Sequence, residues 1–232
     1  MLGTWINVAL VLGGASIGLM ARRVLPERWT QTMMRGVGLF VLYVGADMAA
    51  QLSRPGQRPI LALLSLAGGA LVGEALQLED RLRHFAKRLE QRWGGTHSQH
   101  WSQGFVAASL LFVVGPMAIL GSIQDGTTGD YRLLLTKGLM DGIAAVAFAS
   151  TLGPGVLASA LAVLVYQGGI TLAAHLVAAG LTSASMGLLT GTGGLIIVGL
   201  GLNLLGLEVV PVTNLLPALP LALAFPGLLA LL

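Results

Sequence analysis

Lys137 and Asp141 lie four residues apart in a segment otherwise made of apolar and small residues. At that spacing a helix carries both on one face. A charge at the centre of a membrane span costs about 2.5–3.5 kcal/mol on insertion scales, so its presence needs a reason. One reason is a proton- or cation-coupled site, with Asp141 as the acidic group and Lys137 as its counter-charge. The other is a neutralising ion pair that lets the helix enter lipid. Glu74, after Gly73, reads either as a carboxylate facing a central cavity or as an interfacial acid, and Asp47 carries the same two readings. Asn7, Asn203 and Asn214 are amides within apolar runs, and His175 is the lone histidine of another. Asn214 stands in Pro211-Val212-Thr213-Asn214-Leu215-Leu216-Pro217, with Pro220 and Pro226 beyond. Proline removes a backbone donor, and a broken helix at membrane depth survives only where protein or a water-filled cavity surrounds it. That segment is the best pointer in the chain to a substrate or ion path. The loop around Asp125 and Asp130 is dense in glycine and carboxylate. It reads as a divalent-cation loop or, better, as a tight turn whose Asp side chains cap backbone amides.

The elements that position these residues follow from composition. Of 232 residues, 55% are hydrophobic and only 10% charged, where a soluble domain carries about 25% charged. Too few charges are present to cover a water-facing surface, and the 33 glycines suit close helix approach in lipid. The fold class is therefore all-α and polytopic. At about 20 residues per span, eight segments qualify: 3–21, 35–52, 59–77, 103–122, 133–152, 155–177, 186–207 and 210–231. Seven remain if Gly153-Pro154-Gly155 only kinks a longer helix. Arg22, Arg23, Arg28 and Arg35 share a side with Arg81, Arg83, Lys87, Arg88 and Arg92. The tendency of basic residues to stay cytoplasmic then places both termini outside. The net charge of +3 is thus a topology signal and does not point to nucleic acid. Leu82, Phe85 and Leu89 recur at helical spacing among charges, as in an interfacial amphipathic helix.

Spans two and seven share a pattern, Gly38-Leu39…Gly45…Asp47 beside Gly194-Leu195…Gly201…Asn203, and Gly13-Gly14 of the first aligns with Gly168-Gly169 of the sixth. Each pair crosses in opposite directions, as in an inverted-topology repeat of three helices in each half. Within one transmembrane domain, 1–232, the halves are 1–77 and 155–232. A cytoplasmic loop, 78–102, and two connecting helices, 103–154, lie between them.

With no cysteine, no Ser-His or His-Glu helix motif and no nucleotide-binding loop, the chain reads as neither an enzyme nor an ATPase. No cofactor or metal cluster is indicated; His97 and His100 lack partners for one. Gly191-Thr192-Gly193-Gly194 reads as helix packing.

Taken together, Asn7 with Gly13-Gly14, Gly73-Glu74, the Gln124–Asp130 loop, Lys137…Asp141, Phe148-Ala149…Gly153 and Pro211…Pro217 resemble the YqgA/YdfK-like family. That resemblance spans nearly the whole chain. It implies a bacterial inner-membrane protein, of a family whose founding domain has no known function and whose members are often described as transport proteins without an established substrate. The function expected is a small secondary transporter or ion permease of the bacterial plasma membrane, alternating access around a site near Lys137/Asp141 and the broken last helix. Its partners would be the bilayer, a small solute or ion, and a second copy if a dimer builds the pathway. The alternative is a structural or assembly protein acting through helix–helix contacts.

Overall fold

In lipid every backbone N–H and C=O needs an internal partner, so apolar segments of this length resolve as helices. A computed structural model describes residues 1–24, 26–82, 84, 101–176, 181–207 and 210–229. The helices are α1 (Leu2–Arg22), α2 (Glu27–Ala49, continued by a 3-10 turn over Ala50–Ser53), α3 (Pro59–Ala75), α4 (Trp101–Val113) and α5 (Pro116–Thr127). They continue with α6 (Arg132–Leu152), α7 (Gly155–Leu172), α8 (Ser183–Leu204) and α9 (Ala218–Leu229). No strand occurs among the described residues.

Each of the eight expected segments holds helix, but the count of eight spans is not reached. Five helices are long and apolar enough to cross a membrane alone: α1, α2 with its extension, α6, α7 and α8. A sixth forms if α4 and α5, bent by 60°, are one span. Proline explains two of the differences, while α3 stops at Ala75, two residues before the expected end of its span. Pro116 takes the first position of α5, where its missing donor is harmless, and so ends the expected span 103–122 at its middle. Pro211 and Pro217 delay α9 to Ala218, eight residues past the expected start. Gly153-Pro154-Gly155 separates two helices: Gly153 adopts φ +84°, ψ −157°, a region open essentially to glycine alone. The proposed interfacial helix, with Phe85 and Leu89, lies largely outside the described residues, as do His97 and His100.

Two compact units form. The first comprises Met1–Val37 and Phe85–Ala179 and holds α1 and α4–α7. Here α1 lies parallel to α6: Gly3 faces Leu134, Gly14 faces Gly142 and Gly18 faces Val146. A Cβ on Gly14 would overlap the Gly142 carbonyl oxygen, so the helices meet backbone to backbone, as small residues permit in membranes. Against α7 the direction of α1 reverses, with Thr4 opposite Thr171 and Asn7 opposite Gln167. Phe112 and Phe148, both buried, close the apolar interior with ring centroids 6.2 Å apart.

The second unit comprises Gly38–His84 and Gly180–Leu232. Its most buried helix is α8, started by a capping box in which Thr182 accepts from the Ser185 amide and Ser185 answers the Thr182 amide. α2 runs antiparallel to it, Gly45 against Gly194 and Leu42 against Gly201. α3 runs antiparallel to α9, with Gly69 against Ala218. Leu61, Ala62, Leu188 and Ala222 form the core, flanked by Leu52 and Phe225. Each unit takes helices from both sequence halves.

Candidate functional site

In the first unit three helices each present two polar side chains at helical spacing toward one another. α6 supplies Lys137 and Asp141, α1 supplies Thr4 and Asn7, and α7 supplies Gln167 and Thr171. All six are buried. Lys137 and Asp141 form an ion pair through Nζ and Oδ2. Gly138 and Gly142, the residues after each charge, admit α1: a Cβ on either would lie 3.0 Å from Asn7 Cα or from the Leu10 carbonyl. That approach delivers the Asn7 amide, whose Nδ2 donates to Asp141 Oδ2 at 3.1 Å and to Gln167 Oε1 at 3.2 Å. Turning the amide over would aim its carbonyl at the carboxylate, so the Asp141 charge fixes its orientation. Thr4 Oγ1 and Thr171 Oγ1 lie 3.3 Å apart, and Thr171 Oγ1 donates to the Gln167 carbonyl at 2.8 Å.

With both Asn7 donors used, Asn7 Oδ1 is left without a protein partner, as are Gln167 Nε2 and Ser122 Oγ on α5. Their three residues have no exposed surface. Each unpaired buried polar atom costs about 1–3 kcal/mol and calls for an explanation such as ordered water; Ser109 Oγ on α4 and Thr192 Oγ1 on α8 are in the same condition.

At the end of the unit where α1 begins, Asp125 is 5% exposed. Its Oδ2 accepts from the Gly3 amide at 3.1 Å and lies 3.0 Å from the Met1 ammonium. Asp130 is exposed and accepts from the Arg132 amide at 3.0 Å, at the start of α6. Asp130 thus caps a local amide, whereas Asp125 lies within α5 and meets the start of α1 from another helix, outside any tight turn. Among the described residues no three His, Asp or Glu side chains gather to hold a metal.

Glu74 and Asn214 meet in the second unit. Asn214, 7% exposed, donates from Nδ2 to Glu74 Oε2 at 2.7 Å and accepts from the Glu79 amide at 2.9 Å. Glu74 itself is exposed at the end of α3, as an interfacial acid would be. Beside it, a Cβ on Gly73 would overlap the Asn214 carbonyl, so only glycine lets the broken segment reach α3. Asn203 clamps the turn after α8, donating to the Val210 carbonyl at 2.6 Å and accepting from its amide at 3.2 Å. Asp47 is exposed on α2. His175 is also exposed, beyond the end of α7, although the expected span 155–177 included it. The sequence candidates therefore fall into two groups, Lys137/Asp141/Asn7 and Glu74/Asn214. Gln167, Thr4 and Thr171 join the first group unanticipated. Gln167 did leave a signal, an amide in the middle of an apolar run beside Gly168-Gly169.

Residues 2–226 match a family described as "Protein of unknown function (DUF554)". The chain is similar to the uncharacterized membrane protein YdfK of Bacillus subtilis (strain 168), 31% identical over 219 residues covering 94% of this chain and 93% of the relative. It is also similar to the uncharacterized protein YqgA of Escherichia coli (strain K12), 30% identical over 227 residues covering 96% and 95% of the two chains. No solved structure matches it.

Proposed function

The chain belongs to this family of unknown function, and from that premise we propose that it is a small secondary transporter or ion permease of the bacterial plasma membrane. The observation that carries the reading is the sealed Lys137–Asp141 pair, near the middle of a membrane-length helix and bridged by Asn7 and Gln167 to two others. A pair needed only for insertion is already neutral and has no use for two further amides, one of which leaves a buried donor unpaired. An inverted repeat, proposed on the same footing, would support this reading. All three helix pairs it would relate, α1 with α7, α2 with α8 and α3 with α9, pack side by side and antiparallel within their units. Transporters built this way bind at the repeat interface. The chain acts on this reading without covalent chemistry, as a permease and not as an enzyme.

The test is flux. Purified protein in lipid vesicles should move a small solute or cation, and Asp141→Asn should abolish that movement while the protein stays folded. Equal flux from wild type and variant removes Asp141 from the mechanism. Silence from both, with assembly altered in the variant, favours the reading as an assembly protein.

A further inference from the structure

We infer that the species handled at Asp141 is a proton, reaching the carboxylate along the polar face that α1 and α7 share. The inference rests on the transport reading and names the ion that moves. The groups facing Asp141 Oδ2 are Lys137 Nζ and Asn7 Nδ2, both hydrogen donors. A hard metal cation needs a shell of about six or more oxygens, and here the carboxylate oxygen is met by positively polarised hydrogens. Between α1 and α6 no space remains for an organic solute. Gly138 and Gly142 hold α1 against α6 on both sides of the pair, and Gly14 meets the Gly142 carbonyl backbone to backbone. A proton needs no ligand shell and no room beyond that of an ordered water molecule.

The route is marked by buried polar groups, two hydroxyls bonded to each other and three atoms without a protein partner. The Thr4 and Thr171 hydroxyls touch one turn from the Asn7–Gln167 bond. Asn7 Oδ1 and Gln167 Nε2, an acceptor and a donor on adjoining amides, have no protein partner and no exposed surface. Ser122 Oγ, three residues before Asp125 on α5, is in the same condition. A buried donor, acceptor and hydroxyl are the groups that hold ordered water, and hydrogen-bonded water passes protons between hydroxyls and a carboxylate. The other ionisable groups of these helices are otherwise engaged or set apart. Asp125 pairs with the Met1 ammonium, Arg132 is exposed at the start of α6, and Arg22 packs on Gly153 at the far end of α1. Tyr166 neighbours Gln167 on α7, and α4 carries no charge.

The transfer balances. Hydronium gives its proton to an Asp141 oxygen and leaves as water. The Lys137 ammonium, without its counter-ion, releases an Nζ proton to water on the opposite side. Asp141 then passes its own proton to Nζ, restoring the pair, with one proton moved and the protein unchanged.

Full-length protein in detergent tests this with dicyclohexylcarbodiimide, which modifies protonated carboxyls in apolar surroundings, read by mass on the peptide containing Asp141. Labelling should fall as pH rises and should not change when sodium chloride replaces choline chloride at fixed pH. After a rapid drop in pH, the infrared carbonyl band of protonated Asp141 should grow about tenfold more slowly in Thr171→Val than in wild type, and Thr171→Ser should restore the rate. Protection of Asp141 by sodium, absence of labelling at every pH, or an unchanged rate in Thr171→Val would each overturn the inference. The outcome is separable from the transport reading. Labelling as expected with no flux in vesicles sinks transport and leaves the proton site, whereas flux with sodium-protected Asp141 does the reverse.

Discussion

Replacing both members of the Lys137–Asp141 pair should be tolerated better than replacing one. The side chains are 8% and 9% exposed, so removing either strands the other charge among three helices. Breaking a buried pair in this way costs about 3–5 kcal/mol. Lys137→Met leaves the carboxylate with Asn7 Nδ2 as its described donor. Asp141→Leu strands the ammonium and deprives Asn7 of one acceptor. Lys137→Met with Asp141→Leu removes both charges and loses chiefly that one Asn7 bond, worth about 0.6 kcal/mol on the average of membrane double-mutant cycles. The double variant should lie within about 1 kcal/mol of wild type, so the single costs fail to add by several kcal/mol. Unfolding purified protein by increasing the fraction of SDS in mixed micelles, followed by circular dichroism, measures all four corners of the cycle. Additive costs, or single variants within about 0.5 kcal/mol of wild type, would refute the claim that this is a desolvated, mutually dependent pair. The same double variant also separates the two purposes of the pair. If the charges serve insertion alone, it keeps whatever flux the wild type shows; if they serve transport, it folds and is inactive.

Other positions give sharper local tests. Gly14→Ala, whose new Cβ would overlap the Gly142 carbonyl, should destabilise by about 1–3 kcal/mol in the same unfolding assay. Gly13→Ala, with nothing within 4 Å, should be neutral or stabilise by up to about 1 kcal/mol. Asp125→Ala removes the acceptor of the Gly3 amide and should loosen the start of α1 by about 1 kcal/mol, seen as faster hydrogen exchange at the first amides of that helix. Asn203→Ala should speed exchange at the Val210 amide while leaving the middle of α8 protected, because both bonds of that clamp are local.

Much of this arrangement was legible because lipid simplifies the code. Apolar length gave the helices, and the i,i+4 spacing of Lys137 and Asp141 gave the ion pair. Gly-Pro-Gly announced a break that the φ of Gly153 then explains. Asn7 was legible as a polar oddity, though not its target: Asp141 is 134 residues away, and no local pattern encodes which helix becomes the neighbour. Gln167 stayed hidden because a single amide beside two glycines reads as tolerance, until α1 supplies its partner. The helix bounds differ from the expected spans partly because hydropathy averages across prolines. Pro116, Pro211 and Pro217 leave local hydrophobicity high while withdrawing the donors that a continuous helix needs. The reverse error befell His175, placed within a span by its apolar neighbours although α7 ends at Leu172.

The parallel seat of α1 on α6 has a consequence for biogenesis. Neighbouring antiparallel helices can zip together as they leave the ribosome, but Gly14 must wait for Gly142, 128 residues later in the chain. At about 5–20 residues per second, the first helix would spend on the order of ten seconds in the bilayer with its glycine face and Asn7 uncovered. A nascent chain arrested before α6 should therefore hold α1 loosely and expose it to crosslinking with the insertion machinery, and release of α6 should end that exposure.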